Sequence, residues 1–199
     1  MQVNVKIDTT ALLRWANELS TAKIKGAIKS GLNRAGRRAR TEFIANTAAD
    51  ANVPSARIRK GISPFRSASP SRLVAAFDAK PVKIGILSTA GATISKGSGL
   101  HAATHVVTGG GSASLDVQRA FVITTANGGR VVMIRRGSGR KNIKAIYAEQ
   151  PATALNQGRS APRIKWLKTA ADETAREITA GLQAVMNGGS PASDAGSSD

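Results

Sequence analysis

The apolar positions of this chain follow two different periods, and the period changes along its length. From Ile24 through Ile28, Leu32, Ala35 and Ala39 to Phe43, apolar residues recur at steps of three or four, with Ile44 beside the last. That spacing keeps them in one stripe and predicts a long helix over residues 22–46. A second helix is predicted over 163–186, with Ile164, Leu167, Ala171, Ala175, Ile178, Leu182 and Val185 as its stripe. Between the two, apolar residues cluster in short runs typical of strands. Residues 73–77 and 82–87 predict an antiparallel pair turned by Asp78 to Pro81. Residues 120–125 and 130–135 are β-branched runs joined by Ala126, Asn127, Gly128 and Gly129. Asn-Gly between such runs is the strongest short-range hairpin signal. Residues 143–148 give a third strand of the same meander.

The punctuation between these elements is equally readable. Residues 3–7 alternate and predict a short strand. Asp8, Thr9 and Thr10 then offer capping oxygens to a helix from Ala11, which places Leu12, Leu13, Ala16 and Leu19 on one face. Asn52, Pro54 and Ser55 end the long helix and open a short basic one over 56–61. Serine and proline mark a loop over 63–71, and 151–162 reads as a polar connection. Residues 89–114 are rich in Gly, Ser, Thr and Ala, which predicts a long flexible loop. The Ser/Asp-rich residues 187–199 predict a flexible tail. Runs of helix and runs of strand, rather than strict alternation, predict an α+β fold. An antiparallel β-sheet would pack against the long N-terminal and C-terminal helices in a single domain over 1–186. Gly26, Gly31 and Gly36 sit inside the first long helix, each at a cost of about 1 kcal/mol against alanine.

Charge changes the picture. Twenty-nine Lys and Arg against 12 Asp and Glu give a formal net charge of +17. Such a chain repels itself unless something anionic lies near. Between Lys23 and Arg40 stand seven basic residues (Lys23, Lys25, Lys29, Arg34, Arg37, Arg38 and Arg40) and no acid, so the helix forgoes the usual i,i+4 pairs. A second basic group, Arg135, Arg136, Arg140 and Lys141, surrounds a glycine turn. Direct contact with a polyanion or with acidic neighbours is expected. A helix of Lys, Arg, Ala and Gly would meet phosphates without reading bases.

Catalytic patterns are weak. With no cysteine there is no disulfide, thiolate metal site or thiol nucleophile. His101 and His105 stand four apart, but in a glycine-rich segment without a neighbouring carboxylate. Gly97 to Ala102 fits a dinucleotide fingerprint only loosely, and no phosphate-loop pattern is present. Gly137, Ser138 and Gly139 lack the rest of a nucleophile elbow. Acids are scattered; Asp172, Glu173 and Glu177 cluster on the last helix beside Arg176 and read as surface charge. No enzyme, metal or cofactor is expected. No stretch has the roughly 18–20 apolar residues of a membrane span, and the start has no signal-peptide core.

The combination resembles a known family. Residues 27–35 (Ala-Ile-Lys-Ser-Gly-Leu-Asn-Arg-Ala) precede a short basic helix after Val53 and Pro54. Then come Lys80 to Gly85, the Gly/Ser-rich segment, Arg119 to Ile123, Val132 to Arg136, Gly139 to Lys141, and Ile143 to Tyr147. This order is similar to the minor tail protein Z family of long-tailed bacteriophages, the tail completion proteins, over residues 5–186. The chain departs from the family in its glycine-rich 91–111 segment, where relatives are more basic, and in its Ser/Asp tail.

The resemblance implies a structural virion protein of the neck or upper tail. It would form a six-fold ring of its own copies around the DNA channel, between the tail terminator and the head connector. It carries over no catalytic residue and no cofactor. It implies a lumen set facing duplex DNA, either Lys25, Lys29, Arg34, Arg37 and Arg38, or Arg135, Arg136, Arg140 and Lys141. The other set would then meet acidic neighbours. The alternatives are a sequence-independent DNA-binding protein of the nucleoid or packaging type, and a basic protein of an RNA-containing assembly.

Overall fold

A computed structural model describes residues 3–6, 22–95, 99–107, 111–135, 142–148, 150–156, 158 and 160–187. The expected helix from Ala11 and the expected tail lie outside the described residues. The fold is α+β. Strand β1 (Val3–Lys6) precedes the long helix α1 (Ala22–Asp50) and the short helix α2 (Ser55–Arg59). Strands β2 (Ala76–Ala79), β3 (Ile84–Gly85), β4 (Thr93–Ser95), β5 (Gly99–Val107), β6 (Gly111–Val117), β7 (Ala120–Thr124), β8 (Arg130–Arg135), β9 (Ile143–Ala145) and β10 (Tyr147–Ala148) follow. Helices α3 (Pro151–Asn156) and α4 (Ala161–Met186) complete the described chain. The chain forms two compact units from interleaved segments. The first comprises Met1–Val3, Ile44–Ile62 and Ala79–Arg163; the second comprises Asn4–Phe43, Ser63–Asp78 and Ile164–Asp199.

The second unit is built around the apolar stripe of α1. Ile28, Leu32, Ala35 and Phe43 are completely buried and Ala39 nearly so, as the periodicity predicts. Ile28 and Leu32 pack with Ala68, Leu73, Ala75 and Ile178, and Ile24, Phe65 and Leu182 close the cluster. Phe77 stacks between Phe43, with centroids 6.0 Å apart, and Trp166, edge-on at 6.2 Å. Asn33, buried in the same helix, holds the 63–71 loop from both sides. Its Oδ1 accepts from the Ala68 amide at 2.7 Å and its Nδ2 donates to the Ala68 carbonyl.

Helix α4 differs from its predicted phase. The buried positions in its first half are Trp166 and Ala170, whereas Ile164 and Leu167 are about half exposed (49% and 47%). Trp166 and its neighbour Leu167 lie 100° apart on the helix, so whichever is buried sets the phase. The indole brings the larger apolar area and takes the inside. Ala171 and Ala175 of the predicted stripe are exposed too, and the prediction holds only from Ile178, which is buried, to Leu182, which packs on the core.

The first unit holds most of the strands. The predicted hairpin is present, with Ala120 opposite Ile134 through to Thr124 opposite Arg130. Gly128 supplies the left-handed residue of its turn (φ +75°), and the Thr125 amide donates to the Gly129 carbonyl at 2.8 Å. The third strand forms and then divides: Ile143–Ala145 pairs with β8, and Tyr147–Ala148 pairs with β3.

Three expectations are corrected. The predicted pair of 73–77 with 82–87 does not form; β2 pairs with β1, and β3 with β10. The predicted loop 89–114 is largely strand: β4, β5 and β6 make an antiparallel sheet, with a register shift between Ala103 and His105. Small Gly, Ser, Ala and Thr side chains conceal a strand from a reading based on hydrophobicity, because the ladder is carried by the backbone. The predicted polar connection holds helix α3, whose Pro151, Ala152, Ala154 and Leu155 are buried. Proline at its first position was the available signal.

Candidate nucleic-acid interface

Two basic residues of α1, Arg34 and Arg38, are engaged by carboxylates of their own unit. In the second unit α1 lies close against α4, where a Cβ on Gly31 would stand 3.1 Å from the Glu177 carbonyl oxygen and 3.0 Å from Ile178. That approach brings two α4 carboxylates to the arginines. Arg34 Nε donates to Glu177 Oε2 at 2.7 Å. Arg38 Nη1 donates to Glu173 Oε2 at 2.8 Å and to Glu177 Oε1 at 2.9 Å. Arg176 Nη2 adds a bond to Glu173 Oε2 at 2.6 Å. Glu173 and Glu177, expected as surface charge, are therefore the counter-ions of the basic helix. The Arg34 guanidinium, first by its hydrogen bond and then by its charge, holds the Glu177 carboxyl below its ordinary range, against the opposing effect of burial. Arg37 lies over the Phe65 ring at 5.8 Å. Lys25 and Lys29 are partly exposed on the same helix.

The exposed cations of the first unit stand differently. Its segments contain fifteen Lys and Arg against three Asp and Glu, a formal +12, whereas those of the second contain fourteen against nine, a formal +5. On α2, Ile58 is completely buried while Arg57 and Arg59, and Lys60 at its C-terminal end, are exposed. Lys80, Lys83, Arg119, Arg130, Arg135 and Lys144 are exposed on the strands and turns. No ion pair involves any of these nine among the described residues. Two rest on rings: Arg135 lies 5.8 Å from the Phe121 centroid and Lys83 Nζ lies 5.4 Å from that of Tyr147. Arg130 and Arg135 stand at opposite ends of β8, and Lys144 of β9 lies opposite Ile134 of β8.

Of the sequence candidates, Arg34 and Arg38 are thus ion-paired and Arg135 is exposed and stacked. Arg136, Arg140 and Lys141 lie outside the described residues. The sequence reading missed Arg57, Arg59, Lys60, Arg119, Arg130 and Lys144 as members of one unit. Their scatter over ninety positions hides a grouping that only the fold makes. His101 and His105 both lie on β5, so their spacing is that of a strand and not of one helix face. Among the described residues no group of three His, Cys, Asp or Glu side chains is placed to hold a metal ion, and no helix is long and apolar enough to cross a membrane. No family model, curated protein or solved structure matches this chain.

Proposed function

We propose that this chain is a structural protein of a long-tailed bacteriophage particle. It acts as a tail completion component at the head-proximal end of the tail, where its copies ring the DNA channel and help head and tail to join. The observation that supports this most is the division of charge. Arg34 and Arg38 of α1 are paired inside their own unit, while nine exposed cations of the other unit have no ion-pair partner among the described residues. Such cations suit a polyanion held loosely. Lys and Arg on flexible stems contact phosphates without reading bases, as a DNA duplex passing through a channel requires. The lumen set is accordingly Arg135 with Arg119, Arg130 and Lys144, rather than Arg34 and Arg38. No bond is made or broken in this role, and neither metal nor cofactor takes part.

Electron microscopy of particles assembled without this protein tests the role. Filled heads and near-complete tails that fail to join are expected. Normal infectious particles would rule the role out and leave the sequence-independent DNA-binding alternative.

A further inference from the structure

We propose that the β5–β6 hairpin is where copies of this chain join, the outer edge of β6 in one copy adding as a strand to the outer edge of β5 in the next. Strand β4 covers β5 only at Gly99, Leu100 and His101. Beyond His101, residues 102–107 of β5 have β6 on one side and, among the described residues, no strand on the other. Among the described residues, strand β6 is the last of its sheet along its whole length. Each open edge presents backbone N–H and C=O groups that a further strand would satisfy.

The composition of these strands points to the occupant. Residues 97–115 contain no Asp, Glu, Lys or Arg, in a chain of which 21% is charged, and no proline lies between 97 and 117. Natural edges are usually guarded by lysine, proline, short length or a bulge. Here the devices are the register shift on β5 between Ala103 and His105 and, at the end of β6 paired with His101, Asp116; residues 111–115 of β6 carry none. Residues 102–107 and 111–115, without Asp, Glu, Lys or Arg, offer nothing to an acidic or an anionic partner. For two molecules that each carry +17, these are the segments along which backbones approach with the least Coulomb repulsion. A second copy is therefore the occupant that fits. The two open edges belong to different strands, so joining one to the other is head-to-tail. Head-to-tail contacts close into rings when the rotation permits. The inference rests on the self-assembly part of the proposed function and not on its DNA contacts.

The chain has no cysteine, so single introduced thiols report cleanly. Ser114→Cys protein is mixed under mild oxidation with Ala102→Cys, Ala103→Cys or Thr104→Cys protein. Disulfide-linked heterodimers are expected in at least one mixture. In parallel, a Ser112→Lys/Ser114→Lys chain should self-associate at least tenfold more weakly by sedimentation, with its thermal unfolding unchanged. Disulfides of Ser114→Cys with itself alone would overturn the head-to-tail arrangement. Self-association that is unaffected by the lysines and yields no heterodimer would place the contact elsewhere, ending the inference while leaving the structural role intact. A monomer at every concentration, with no heterodimer, would also end it; the role then stands or falls on the particles alone.

Discussion

Gly26 and Gly31 look alike in the sequence, five residues apart in one helix, and differ in everything around them. A Cβ on Gly26 would meet nothing within 4 Å, whereas one on Gly31 would press on the backbone and side chain of α4. Gly26→Ala should therefore stabilise the protein by about 0.5–1 kcal/mol through helix propensity alone. Gly31→Ala should destabilise it by about 1–3 kcal/mol, because α4 must give way. Urea unfolding of the two variants beside the parent checks both signs. Asn52 shows the same dependence on place. It ends α1 with φ +53°, its amide donating to the Ala49 carbonyl and that of Val53 to Ala48, which is the Schellman arrangement with asparagine in the left-handed position. Its side chain then reaches the Ala90 carbonyl at 3.1 Å. The helix stop was legible from Asn52 and Pro54. The second bond was not, because nothing local marks a partner thirty-eight residues away.

At the scale of elements, α1, α4 and the β7–β8 hairpin were legible because each carries its own period or turn chemistry. The phase of α4 was not, since two overlapping apolar faces compete and Trp166, edge-on to the distant Phe77, takes the inside. Nor was the pairing of Arg34 and Arg38 with Glu173 and Glu177, which are more than 130 positions away in the chain. That pairing makes stability depend on pH. The folded Glu177 titrates below its ordinary value near 4.5. Its stabilising contribution is full above that ordinary value and is lost as pH falls through the lower folded one. Glu177→Gln should cost about 1–3 kcal/mol at pH 7, since the substitution leaves charged donors short of a carboxylate. It should also flatten the loss of stability below pH 4.5. Unfolding free energies of parent and variant between pH 7 and pH 3 test this. A constant difference across that range would mean that the pair contributes nothing.

At the scale of the whole molecule, the α+β class was legible, because runs of one period follow runs of another. The strands within 89–114 were not, because side chains without hydrophobic contrast leave only backbone bonding to define them. Net charge was plain from composition, but its location was not. The most basic stretch of sequence, 23–40, includes two arginines that the fold engages internally, and nine less conspicuous cations of the first unit are exposed with no ion pair among the described residues, as are Lys23, Arg72, Lys165 and Lys168 of the second. The central claim is that the cations of the first unit meet a polyanion without regard to sequence. Affinity for two unrelated DNA duplexes, measured across a salt series, tests it most directly. Both duplexes should bind equally, with log affinity falling linearly in log salt. Replacing Arg130, Arg135 and Lys144 together by Gln should reduce that slope by about 0.9 for each phosphate no longer neutralised. Replacing Arg34 and Arg38 by Gln should leave the slope unchanged. An absence of binding at low salt, or a slope that follows Arg34 and Arg38 instead, would contradict the account.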